Sequence, residues 1–156
     1  MEDAWVYDTS AEQWLAVSES GGPSGREGHS AVWDPVGQAF WIFGGSDGTR
    51  YFNELWSYSK STWSHVATGL VLRPSVRGDQ VAFWDAARSA LWVHGGADEE
   101  AILNDVWMFQ SEQHTWTLAV GLFAAPALKN HAAVWDEQQR MLWVHGGIGP
   151  AGPWQV

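Results

Sequence analysis

The chain has 156 residues, of which 46% are hydrophobic and 14% aromatic, which is enough apolar material for one packed domain. Its formal net charge of −10 argues against sequence-independent binding to nucleic acid or to an anionic membrane, because both need a basic surface. The absence of cysteine excludes disulfides, thiolate metal sites and cysteine nucleophiles, and it fits a reducing compartment. Residues 1–10 contain no apolar signal-peptide core, so we expect a cytoplasmic protein.

Short strands are predicted along the first half of the chain. Residues 31–33 end one of them, and residues 39–43 form a continuous apolar run, which is typical of a strand covered on both faces. Residues 55–58 alternate in polarity, as does the stretch around Trp63, which predicts two further strands. The Asp-Pro-Val-Gly sequence at 34–37 predicts a turn, since proline presets its torsion and glycine accepts positive φ. We find no helix signal.

A repeat of 51 residues organises these strands. Glycine pairs recur at this spacing, at 44–45, 95–96 and 146–147. Three tryptophan series share the offset, and a fourth drifts by two residues; the series are Trp5, Trp56 and Trp107; Trp33, Trp84 and Trp135; Trp41, Trp92 and Trp143; and Trp14, Trp63 and Trp116. Four strands in each repeat, with a diglycine closing the second, are typical of a propeller blade that buries both sheet faces against its neighbours.

The pattern resembles the kelch motif, whose second strand ends in Gly-Gly and is followed by an aromatic residue in the third strand and a tryptophan in the fourth. The third-strand aromatics here are Tyr7, Tyr58 and Phe109. The resemblance covers essentially the whole chain and implies an all-β fold, a kelch-type β-propeller with four-stranded antiparallel blades. One position departs from the pattern, because Gln80 stands where the neighbouring repeats have His29 and His131.

The phase of the repeat predicts how the chain is divided. With the strands of a blade labelled a to d from the centre outward, residues 3–17 supply c and d of a split blade, residues 26–66 and 77–120 are whole blades, and residues 130–147 supply a and b of a split blade. Three blades are too few to close, since propellers typically use four to eight. We therefore expect a head-to-tail homodimer with six blades, which protects the open strand edges. The alternatives are a fragment of a longer propeller and an engineered one.

The histidines do not suggest a metal site, although imidazoles and carboxylates together bind zinc or iron. Their spacing predicts other roles: packing for His94 and His145, backbone bonding at the start of strand a for His29 and His131, and solvation near the outer strand for His65 and His114. We predict no metal and no cofactor.

Catalytic arrangements are also weak. Ser30 beside His29 is only a dipeptide at the start of strand a, without an acid to orient the histidine. The copper-radical oxidases with kelch-like propellers need a cysteine, which this chain lacks. We predict no catalytic residue, and a propeller enzyme is the distant alternative.

The sequence points instead to the loops at one mouth of the propeller. In an antiparallel four-stranded blade, the b–c and d–a loops emerge on the same face, and here they are long and varied: residues 18–27, 46–52, 67–77, 97–103 and 121–129. Recognition usually sits on such loops, and the resemblance to kelch propellers implies binding of a protein partner. We predict a non-enzymatic interaction scaffold with contacts at Arg26, Asp47, Arg50, Tyr51, Arg77, Glu99 and Glu100. The alternative is a purely structural propeller segment without a ligand.

Overall fold

A computed structural model describes residues 4–17, 21–67, 72–121 and 124–150, together with the backbone of 152–153. Asp3 and the parts of three predicted loops at 18–20, 68–71 and 122–123 lie outside the described residues. The strands within them are β1 (Trp5–Asp8), β2 (Gln13–Ala16), β3 (Ser30–Asp34), β4 (Ala39–Phe43), β5 (Leu55–Ser59), β6 (Thr62–His65), β7 (Val81–Asp85), β8 (Ala90–His94), β9 (Val106–Gln110), β10 (Thr115–Leu118), β11 (Ala132–Asp136), β12 (Met141–His145), β13 (Ile148–Gly149) and β14 (Gly152–Pro153).

Two complete blades occupy the middle of the chain. Their strands are antiparallel and follow chain order, β3-β4-β5-β6 and β7-β8-β9-β10. These sheets fall within the predicted segments 26–66 and 77–120. Two-stranded sheets precede and follow them in the chain, β1–β2 and β11–β12. The all-β fold class with kelch-type blades is confirmed.

The turns between strands a and b differ from the prediction in two respects. Positive φ falls on Gln38 (48°) and not on Gly37. The turn is held by the Asp34 carboxylate, which accepts hydrogen bonds from the backbone N–H groups of Val36 and Gly37, each at 2.9 Å. The second turn contains a short 3₁₀ helix, Ala86–Arg88, which the sequence did not predict.

The core lies between the two complete blades, where one face of each sheet covers the other. Trp41 in β4 stacks on Trp84 in β7 with ring centroids 6.0 Å apart, and Phe43 packs against Trp116 of the second blade at 5.1 Å. Phe109 is fully buried at the same interface. Tryptophan suits these positions because each ring hides a large apolar area.

In each complete blade, a buried arginine from the loop before the blade bonds to an acidic residue immediately before the third strand. Arg77, whose side chain has no exposed surface, donates to both carboxylate oxygens of Asp105 at 2.5 and 2.8 Å and to the Gly95 carbonyl at 3.1 Å. The Trp107 indole N–H donates to the same carboxylate at 2.6 Å. Burial raises the pKa of Asp105, but the hydrogen bonds and charge of Arg77 outweigh it and lower that pKa.

The same cluster recurs 51 residues earlier. Arg26 pairs with Glu54 at 2.8 Å and donates to the Gly44 carbonyl at 3.0 Å, while Trp56 donates to Glu54 at 3.1 Å. We call the Arg26–Glu54 and Arg77–Asp105 pairs the arginine clamps. The third repeat has Leu128 in the arginine position.

A polar contact joins each sheet to the next near the diglycines, and its chemistry changes along the chain. Between the two complete blades, the Gln80 side chain donates to the Phe43 carbonyl at 2.9 Å. One repeat later, His94 Nδ1 lies 3.1 Å from His131 Nε2, and both rings are buried. Burial, together with neighbouring His94, lowers the pKa of His131 to about 4. His94 was expected to pack, and it does, but the bonding partner of His131 is a side chain and not backbone.

Replacing Arg77 with leucine will destabilise the chain by about 3 to 5 kcal/mol. The reason is that the half-buried carboxylate of Asp105 then loses its ion pair with the Arg77 guanidinium. Leucine itself fits, as Leu128 shows at the equivalent position. The double variant Arg77→Leu with Asp105→Asn should recover much of the loss, and Arg50→Leu, at an exposed arginine, should change stability by less than about 0.5 kcal/mol. Urea unfolding measures all three, and equal losses at Arg77 and Arg50 would contradict the clamp.

The histidine pair makes stability depend on pH. Histidine in the unfolded chain has an ordinary pKa near 6.5 and His131 in the folded chain one of about 4, so the unfolded state binds more protons between these values. The free energy of unfolding is therefore expected to fall as the pH drops from 6.5 towards 4 and to keep this contribution fully above 6.5.

The double variant His94→Phe with His131→Gln copies the Phe43 and Gln80 junction and tests this effect. Urea unfolding at pH 7.5 and at pH 5 should show a smaller loss of stability for the variant than for the wild type, since the remaining titrating groups are common to both. Equal losses would mean that the pair does not titrate as described.

Candidate partner-binding mouth

The b–c and d–a loops meet at one end of the blades, as the sequence predicts from the antiparallel strand order. Residue Ser46, just after the first diglycine, forms bridges with Glu27 before the blade and with Tyr51 across its own loop. Ala97 does the same with Gly78 and Ile102. In each complete blade, the loop before the first strand is therefore bonded to the loop between the second and third strands. We call this end of the molecule the mouth.

An inner rim of backbone hydrogen bonds runs from repeat to repeat beneath these loops. Asp79 N–H donates to the Gly28 carbonyl at 2.8 Å, and Asn130 N–H donates to the Asp79 carbonyl at 3.0 Å. All three residues have positive φ, between 53° and 63°. Glycine, aspartate and asparagine are the residues that adopt this conformation most readily. The rim holds neighbouring repeats at a fixed separation.

In each complete blade, an aspartate shapes the loop between the second and third strands. Asp47 Oδ1 accepts from the Thr49 hydroxyl at 2.6 Å, from the Thr49 N–H at 2.8 Å and from the Arg50 N–H at 3.0 Å. The Thr49 hydroxyl, followed by these backbone bonds, lowers the pKa of Asp47 to about 2. Asp98 accepts from two backbone N–H groups of its own loop in the same way. Both loops are therefore well-defined turns.

A groove of about 520 Å³ lies between the first and second of these loops. The residues that line it are Glu27, Gly28, Ser46, Gly48, Thr49, Arg50, Tyr51, Gly78, Asp79 and Glu99. The Tyr51 ring rests against Gly78, where a Cβ would come within 3.0 Å of the ring. A second groove of about 490 Å³ follows one repeat later and includes Glu99, Glu100, Lys129 and Pro150.

The charge of both grooves is predominantly negative. Three carboxylates line the first groove, those of Glu27, Asp79 and Glu99, against the single cation Arg50. The Arg50 side chain is 71% exposed and its Nε lies 3.6 Å from the carboxylate of Asp47, so part of its charge is already balanced. Such a surface favours a positively charged ligand segment.

The predicted contact residues divide into two groups. Arg50, Tyr51 and Glu99 line the first groove, Glu99 and Glu100 line the second, and Asp47 is exposed beside them. Arg26 and Arg77 belong to the arginine clamps, with side chains that are 3% and 0% exposed. Their guanidinium groups are held by carboxylates and carbonyls of the chain itself, so neither reaches the mouth surface and both are withdrawn as contacts.

Sequence reasoning did not identify Glu27, Asp79 and Lys129 as groove residues. Glu27 directly follows Arg26, and Lys129 directly follows Leu128, which takes the arginine position in the third repeat. They are separated by two repeats of 51 residues, so the repeat was a usable signal. Asp79 lies between a predicted loop and a predicted strand, where only its positive φ reveals its role in the rim.

The remaining candidates for chemistry are structural. Ser30 is buried and its hydroxyl donates to the Gln80 carbonyl at 2.8 Å, so it is not presented to a substrate. His65 and His114 are exposed, as expected, and lie near the rings of Trp56 and Phe109. Across the described ranges, no three histidine, aspartate or glutamate side chains are grouped so that they could hold a metal ion. The described part of the chain also contains no apolar helix of membrane-spanning length.

Comparison with known proteins identifies a family and several relatives. Residues 1–152 match the family model of the KLHDC2/KLHL20/DRC7 Kelch-repeats domain. The chain is similar to the dynein alpha chain of the flagellar outer arm from Chlamydomonas reinhardtii, with 30% identity over 83% of the chain and 3% of the relative. It is also similar to mouse leucine-zipper-like transcriptional regulator 1, with 27% identity over 74% of the chain and 14% of the relative.

Human multiple epidermal growth factor-like domains protein 8 is 30% identical over 91% of the chain and 5% of its own length. The chain thus spans a small part of each of these relatives. Kelch repeats are generally protein-interaction domains, and the family is typically non-enzymatic. The repeat, the blade topology and the family match over residues 1–152 agree, and the chain belongs to the kelch-repeat family.

Proposed function

We propose that this protein is a non-enzymatic interaction scaffold that binds a segment of a partner protein in the two grooves of the mouth. The observation that carries the proposal is the pair of grooves itself, of about 520 and 490 Å³, at equivalent positions of successive repeats. Their walls are loops fixed by the aspartate turns and by the inner rim. A preformed groove of this kind binds without a large cost in loop ordering.

The charge of the grooves selects the partner. Glu27, Asp79 and Glu99 face the first groove and Asp98, Glu99 and Glu100 the second, against one cation in each. A partner segment that carries lysine or arginine gains from these carboxylates, whereas an acidic segment meets repulsion. Tyr51 adds an aromatic surface of the kind enriched at protein interfaces. The bound segment is therefore expected to be basic.

The assembly that carries the mouth is part of the proposal. The described residues supply two consecutive grooves, whereas a closed propeller has a full ring of loops. A head-to-tail homodimer with six blades would complete that ring, and a second copy would repeat the same two grooves on the opposite side of the channel.

Peptide binding tests the mouth directly. Matched sets of short peptides bearing lysine and arginine, bearing aspartate and glutamate, or uncharged should separate, with the basic set binding best and losing affinity as salt is raised. The double variant Glu27→Gln with Glu99→Gln should weaken basic-peptide binding about two- to thirtyfold, since two ion pairs at about 0.2 to 1 kcal/mol each are lost.

The matched control changes two exposed glutamates at the opposite end of the blades, Glu112→Gln with Glu137→Gln. It alters the net charge equally, so it should leave peptide binding within about twofold of the wild type if the mouth carries the contacts. Equal weakening by both double variants would mean a non-specific charge effect. Absence of binding to all three peptide sets would favour the structural propeller segment without a ligand.

A further inference from the structure

One face of the β11–β12 sheet is exposed although the corresponding face of the first blade is buried. Trp143 in β12 is 57% exposed, whereas Trp41, its equivalent two repeats earlier, is 7% exposed and stacks on Trp84 at 6.0 Å. Val134 on the same face is 65% exposed. A groove of about 360 Å³ follows this face, lined by Ala132, Ala133, Val134, Trp143, Val144 and His145.

A complementary tryptophan is exposed at the other end of the described blades. Trp33 in β3 is 56% exposed, whereas its equivalents one and two repeats later are both covered by a neighbouring sheet. Trp84 stacks on Trp41, and Trp135 stacks on Phe83 at 4.7 Å. By the 51-residue spacing, Trp143 corresponds to Trp41 and Trp33 corresponds to Trp84. The two exposed rings thus occupy the two halves of a stacking position.

The β1–β2 hairpin has the form of the outer half of a blade. Its Tyr7 and Trp14 rings lie 5.2 Å apart across the two strands. The outer hairpins of the complete blades show the same cross-strand pair, Tyr58 with Trp63 at 5.0 Å and Phe109 with Trp116 at 5.2 Å. In those blades the second aromatic is nearly covered, at 9% and 4% exposed, whereas Trp14 is 65% exposed.

The interior blades also fix how an inner and an outer half meet. In the second blade, β8 pairs antiparallel with β9 so that Ala90 lies opposite Gln110 and Trp92 opposite Met108. β12 is the equivalent of β8 one repeat later in the chain, and β1 is the equivalent of β9 two repeats earlier. β12 pairs with β11 along one edge, and no described strand pairs with its other edge.

We propose that a second copy of this chain docks on the β11–β12 sheet head to tail, in the register that the interior blades use. Met141 then lies opposite the second copy's Asp8 and Trp143 opposite the second copy's Val6. Trp143 stacks on the second copy's Trp33 as Trp41 stacks on Trp84. The proposal rests on the homodimer described above and adds the residues that form its seam.

The polar contact near the diglycines continues across the same seam. His94 and His131 are 37 residues apart in the chain, with ring nitrogens at 3.1 Å. If the second copy is numbered on from the first by three repeats, its His29 also lies 37 residues after His145. The seam therefore repeats the histidine pair of the preceding junction as well as the aromatic stack of the first. Asp8 is the only charged residue in the two strands that would meet, β1 and β12, so charge repulsion does not oppose their pairing.

Solution mass tests the homodimer, and cysteine pairs test the register. Light scattering at 50 µM should give twice the 17.3 kDa chain mass. The chain has no cysteine, so introduced pairs report without background. The template pair Ala90 and Gln110 lies between hydrogen-bonded pairs, given the bonds from Gly95 N to Asp105 O and from Ser111 N to Ser89 O. Such non-hydrogen-bonded pairs bring Cα atoms closest, which suits a disulfide.

Under mild oxidation, Met141→Cys with Asp8→Cys should form a covalent dimer in most of the protein. The shifted control, Met141→Cys with Val6→Cys, should form at least fivefold less. Trp143→Ala should raise the dissociation constant of the dimer tenfold or more. The matched control is Val36→Ala, at a 74% exposed turn residue away from the seam, and it should leave that constant unchanged.

Three outcomes would overturn the inference at different levels. A monomer at 50 µM, or a mass that keeps growing with concentration as an open array would, rejects the closed homodimer. A dimer in which the shifted cysteine pair links as well as the in-register pair rejects the seam and leaves the homodimer standing. None of these outcomes affects the mouth, whose peptide binding is measured separately with variants of Glu27 and Glu99.

Discussion

The burial of both faces of each sheet is the constraint on which this molecule depends. A four-stranded sheet with apolar side chains on both sides has no stable solvent-facing side, so it needs a neighbour on each face. The tryptophans satisfy this need by stacking between sheets, as Trp41 does on Trp84. The regular 51-residue spacing then sets the spacing of everything else, including the clamps, the inner rim and the mouth loops. Where a neighbour is absent from the described residues, as beside Trp143 and Trp33, the same rings are exposed.

The fold could be predicted from the sequence almost entirely, because a repeat is a global signal that no local accident imitates. The tryptophan series and the apolar run at 39–43 each lie in the strand that their pattern predicts, and each diglycine follows directly after a second strand. Local torsions were less predictable. Gln38 takes the positive φ that glycine chemistry suggested for Gly37, as Ser89 and Arg140 do at the equivalent positions of the other repeats.

The mouth was predictable as a place and less so as a set of contacts. Antiparallel strand order is sufficient to bring the long loops together, so Arg50, Tyr51 and Glu99 lie where they were expected. Arginine in a loop is usually exposed, and nothing local to Arg77 shows that a carboxylate 28 residues later will enclose it. The clue was periodic, since an acid two residues before a third-strand tryptophan recurs at Glu54 and Asp105. The pairing of His94 with His131 depends on the angle between two sheets, which no spacing rule supplies.

The position that Leu128 takes from an arginine has a consequence for folding accuracy. Chains with similar repeats can misfold when a hairpin joins the wrong neighbour by slipping one whole repeat. If the β9–β10 hairpin joined β11–β12 in this way, Asp105 would lie beside Leu128, and Arg77 would remain buried without its carboxylate. A buried charge without a partner is strongly destabilising. The departure from perfect repetition at Leu128 therefore helps the β9–β10 hairpin to pair with its own inner strands and not with those of the next repeat.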